Sequence, residues 1–85
     1  MKYPTERLLA VFFTVAHGLK DGKSAKAAAD ACGDDAGIAY PIAKIVSDGH
    51  YDLLADVLTG ERDPHNAGIA SRQRLGFNEH LPAKE

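Results

Sequence analysis

The chain holds one cysteine, Cys32, among its 85 residues. A single thiol excludes an intramolecular disulfide framework and suits a reducing, cytoplasmic setting. Cys32 follows an alanine-rich segment and precedes Asp34 and Asp35. A helix C-terminus and nearby carboxylates both disfavour a thiolate, so Cys32 reads as a packing residue and not a nucleophile. Long apolar runs are also lacking. The best stretch, Leu8 to Val15, is far short of the roughly 20 residues that span a bilayer. With Glu6 just ahead of it, that stretch also makes a poor signal peptide.

Chemistry-bearing motifs are equally scarce. His17, His50, His65 and His80 are scattered, and no two have the i, i+4 spacing of a helical metal site. His50 close to Asp52 reads as a turn histidine beside a helix-capping aspartate. Gly22-Lys23-Ser24 imitates the tail of a phosphate loop, but the leading glycine of that motif would fall on His17. No nucleophile–base pair, metal-ligand set or cofactor fingerprint assembles, so the chain reads as a non-enzyme with no cofactor and no metal.

What the sequence does have is helical periodicity. Hydrophobic residues at 45% and charged ones at 26% are enough for a folded chain. About 85 residues bury roughly 60–65% of their unfolded surface, which gives a thin core in one domain. Leu8, Phe12, Val15 and Leu19 lie on one helical face after Pro4, and Gly18 with Asp21-Gly22 reads as the stop. Ser24 caps an alanine-rich helix to Cys32, closed by Gly33. Asp34 or Asp35 starts a third segment. Pro41 is expected to interrupt it, with a new helix bearing Ile42, Ile45 and Val46 running to Gly49. Leu53, Leu54, Val57 and Leu58 form the inner face of a helix begun by Asp52. Asp63-Pro64 opens a last one to about Leu75, anchored by Ile69, Ala70 and Leu75.

The expected architecture is all-α, a compact small bundle of four to five short helices over residues 1–77, with 78–85 a flexible C-terminal tail. The first helix is too apolar for a surface helix. Either it is central, or part of its face, Leu9 and Phe13, meets a second copy; both can hold.

Charge is segregated along the chain. Residues 29–60 carry six aspartates against one lysine, a net of −5, while residues 1–28 net +3. Asp48, Asp52 and Asp56 are spaced by four, an arrangement that slightly weakens a helix they share. The plain reading is that they punctuate helix ends. The functional reading is an acidic strip, with Asp34 and Asp35 nearby, that docks on a basic protein surface. On that reading the protein is a regulator or inhibitor acting by protein–protein interaction, with no membrane partner. One alternative is a helix-turn-helix DNA binder using Ser24 to Ser47, or the basic residues around Arg72 and Arg74. Pro41 and the local acidity oppose nucleic acid there. A second is an oligomer holding a small molecule near His50 and Tyr51.

Overall fold

The computed structural model describes residues 3–75. They form five α-helices and no strand: α1 (Thr5–Lys20), α2 (Ala25–Asp30), α3 (Ala36–Ser47), α4 (Tyr51–Leu58) and α5 (Pro64–Arg74). A 3-10 turn, Gly33–Asp35, leads into α3. The tail expected from Asn78 onward lies outside the described residues.

The central element is α3, not α1. It packs against all four other helices and buries Ile38, Ala39, Ile42, Ala43 and Ile45. Helix α1 contributes Leu8, Val11 and Val15 to the same core and α4 contributes Leu53, Leu54 and Val57. Phe13, on the far side of α1, remains 64% exposed.

Pro41 does not break the third helix; α3 runs through it without interruption. Proline removes the amide that would bond the carbonyl of Gly37. Gly37 is exposed, so water can satisfy that carbonyl. The ring also serves tertiary packing. It lies so close to Gly68 of α5 that a Cβ there would stand 2.8 Å from the Pro41 Cβ. Gly18 likewise is not a stop. It is buried inside α1, where a Cβ would come 3.0 Å from that of Ala28. Two glycines thus let helices cross at close range, α1 on α2 and α3 on α5.

Caps mark several boundaries. Ser24 accepts from the Ala27 amide at 3.1 Å, and Asp63 accepts from the His65 amide at 3.0 Å. At the end of α3, Gly49 adopts φ 77°. The His50 amide then donates to the Ile45 carbonyl at 3.0 Å and the Gly49 amide to Val46 at 3.1 Å. That double closure turns the chain sharply and delivers His50 toward α5.

Helix α5 docks by an unexpected face. Its buried residues are Pro64, Ala67, Gly68 and Ser71, one stripe at helical spacing. Ile69, expected as an anchor, is 55% exposed, and Leu75 is 41% exposed. Small side chains replace large ones because Pro41 approaches the backbone of α5 directly.

Candidate functional site

The acidic strip comes first, because the fold gives most of its members partners. Asp52, in the first turn of α4, receives two hydrogen bonds from Arg74 at the end of α5, at 2.8 and 2.6 Å. This fork-to-fork pair holds the Asp52 carboxyl far below the usual carboxylate range. Asp56 accepts from Arg62 Nε at 3.1 Å, and the same guanidinium reaches Asn66 at 2.9 Å. Asp48 faces the hydroxyl of Ser71 at 3.4 Å. The strip therefore lies along α5 and its preceding loop and binds them to α4.

The two earlier aspartates behave similarly or stand apart. Asp35 occupies the N-cap position of α3 but makes no cap bond. Its carboxylate takes Arg7 of α1 instead, at 2.9 Å from Nε, and that hydrogen bonding lowers its pKa. Asp34 is exposed in the 3-10 turn. The i, i+4 repulsion within the strip is thus offset by cations brought from elsewhere in the chain.

Ser71, His50 and Asp48 form a small polar cluster. Ser71 Oγ lies 2.7 Å from His50 Nδ1, so His50 engages Ser71 and not Asp52. The residue types are those of a hydrolase triad, but the arrangement is not. The carboxylate meets the serine instead of the histidine, and Ser71 is fully buried. Its oxygen is out of reach of a substrate, and the cluster acts as a polar pin between α5 and the α3–α4 turn. Tyr51 beside it is 62% exposed. Cys32 is half-buried against the core, and burial followed by the Asp35 charge pushes its thiol pKa up.

The helix-turn-helix outline has the right order but little to offer a groove. Helix α2 spans six residues. Helix α3, which would be the reader, exposes only Gly37, Tyr40 and Ser47. A recognition helix has to protrude.

Sequence reasoning missed the cleft between α3 and α5. It has a volume of about 520 Å³. Pro41 and Gly68 supply an apolar floor, and Tyr40, 46% exposed, and Ile69, 55% exposed, stand over it. Lys44, His65 and Arg72 occupy the rim, and among the described residues no carboxylate lines it. In a chain of net charge −2, the described residues thus form an apolar cleft fringed by the side-chain nitrogens of Lys44, His65 and Arg72. The signal in the sequence was faint: Tyr40 and Lys44 one turn apart on α3, and His65, Ile69 and Arg72 at matching spacing on α5.

Among the described residues, no three His, Cys, Asp or Glu side chains are placed to hold a metal ion. No helix among them is long and apolar enough to cross a membrane. No protein-family model matches this chain, and no curated protein or solved structure is significantly similar to it.

Proposed function

We propose that this protein works by binding another protein in a cytoplasmic setting, with no chemistry of its own, and that the α3–α5 cleft makes the contact. The supporting observation is the lining: an apolar floor of Pro41 and Gly68 under Tyr40 and Ile69, with Lys44, His65 and Arg72 around it and no acid among the described residues. Such a site suits an acidic amphipathic segment, which would seat one or two apolar side chains on Pro41 and Ile69 and direct carboxylates to the rim. The sign of the partner is the reverse of what the aspartate count suggests, because Asp35, Asp52 and Asp56 are engaged by the chain's own arginines.

The test is an amide NMR titration with a short acidic peptide carrying leucines at i, i+3 and i+7, against a lysine version of the same pattern. Shifts should concentrate at Tyr40, Lys44 and Ile69, weaken with added salt, and vanish in Lys44→Glu. Equal binding of the lysine peptide would refute the reading. So would capture of a native protein partner that Lys44→Glu and Ile69→Asp both leave unaffected.

A further inference from the structure

The cleft leaves unexplained Phe13, the most exposed large apolar residue among those described, at 64%. It is centred on the outward stripe of α1. At 3.6 residues per turn, Glu6, Leu9, Phe13, Ala16, His17 and Lys20 share that stripe, and each is exposed or half-buried. The stripe has polarity: the Glu6 anion at its N-terminal end, an aromatic ring in the middle, the Lys20 cation at its C-terminal end. Glu6 and Lys20 each stand seven residues from Phe13. Neither has an opposite charge within ion-pair distance among the described residues, whereas Arg7, beside Glu6, is held by Asp35.

We propose that this stripe is self-complementary, and that two copies pair antiparallel through α1 about a two-fold axis at Phe13. Such an axis carries each residue onto the one equally far on the other side of Phe13. Glu6 of one copy then meets Lys20 of the other, twice over. The parallel arrangement would set Glu6 against Glu6 and Lys20 against Lys20, so charge selects the antiparallel one. Ala10 and Ala16 flank the ring and let the helices approach. A shallow depression lined by Phe13, Ala16, His17 and Ala31 adjoins the stripe and offers room for the second ring.

The area sets the strength. A helix of 16 residues is about 24 Å long and presents a stripe about 10 Å wide. Two copies bury on the order of 500 Å² together, well under the ~1,200 Å² of a lasting interface. The dimer is therefore transient, with Kd from high micromolar to about millimolar.

Sedimentation equilibrium on the full chain at low salt, from about 10 μM to about 1 mM, reads this directly. The mass should rise toward a dimer, and Phe13→Glu should hold it at the monomer. Glu6→Lys and Lys20→Glu should each weaken self-association about tenfold, because both ion pairs become repulsive. Mixed in equal amounts, those two variants should pair with each other as well as the parent pairs with itself, since both contacts are complementary again. Circular dichroism on each variant separates a lost helix from a lost dimer. A monomer throughout the range overturns the proposal. A dimer indifferent to Phe13→Glu, or charge variants that fail to pair on mixing, overturns it too.

Discussion

Replacing Gly68 with alanine tests the α3–α5 crossing most directly. The new Cβ would stand 2.8 Å from the Pro41 Cβ and 3.4 Å from its Cα. Carbon atoms rest at about 3.5–4.0 Å, so the helices must part by roughly 1 Å at this point. Proline is a poor neighbour to displace, because its ring is fixed to the backbone and has no rotamer to adopt. Overpacking of this kind costs about 1–3 kcal/mol. Alanine returns about 1 kcal/mol through helix propensity. Separation also stretches the Ser71–His50 hydrogen bond, 2.7 Å long and one turn further on, at about 1 kcal/mol. The balance is a loss of about 1–3 kcal/mol. In a domain of this size each kcal/mol lowers Tm by about 4–8 °C. Gly37→Ala is the matched control: Gly37 lies in α3, and its added Cβ meets nothing within 4 Å. That variant should gain about 0.5–1 kcal/mol. Urea melts followed by far-ultraviolet circular dichroism give both values. If Gly68→Ala is as stable as Gly37→Ala, the close crossing is wrong.

Two further outcomes follow from the polar contacts. Ser71→Ala should lose about 1–3 kcal/mol in the same melts, because it strips His50 of its partner and leaves a hole at a fully buried position; an unchanged midpoint would remove the polar pin from the account. The Asp52 carboxyl has a folded pKa below its ordinary value because Arg74 hydrogen-bonds it, so its contribution is present above the ordinary carboxylate range and fades as pH falls toward the folded value. The Tm gap between the parent and Asp52→Asn should therefore be small, largest near neutrality, and should close in acid and in high salt; a gap that widens in acid would contradict the pairing.

The parts of the fold legible in the sequence are those set by short-range signals. Ser24 and Asp63-Pro64 act within one turn, and the apolar spacing of α1 and α4 needs no partner to be seen. What failed depended on another helix. Pro41 reads as a break until Gly68 is placed beneath it. Ile69 reads as an anchor because it is large, yet the face that docks is Pro64, Ala67, Gly68 and Ser71, whose small side chains carry almost no hydrophobic signal. The aspartates were visible, but Arg74 is 22 residues from Asp52 and Arg7 is 28 from Asp35, and only the packed bundle brings them together. The cleft was hidden for the same reason: it belongs to neither α3 nor α5 alone.

The close seat of Gly68 on Pro41 has a consequence for how this protein can change. The floor of the cleft and the joint that holds α5 are the same atoms. Any substitution that deepens or widens the floor therefore loosens the domain. Tyr40, Lys44, His65 and Ile69, around that floor, are tied to the fold far less tightly. A lineage that acquires a new partner has room to do so by exchanging those side chains while the glycine–proline joint stays fixed, so specificity can drift on a support that cannot.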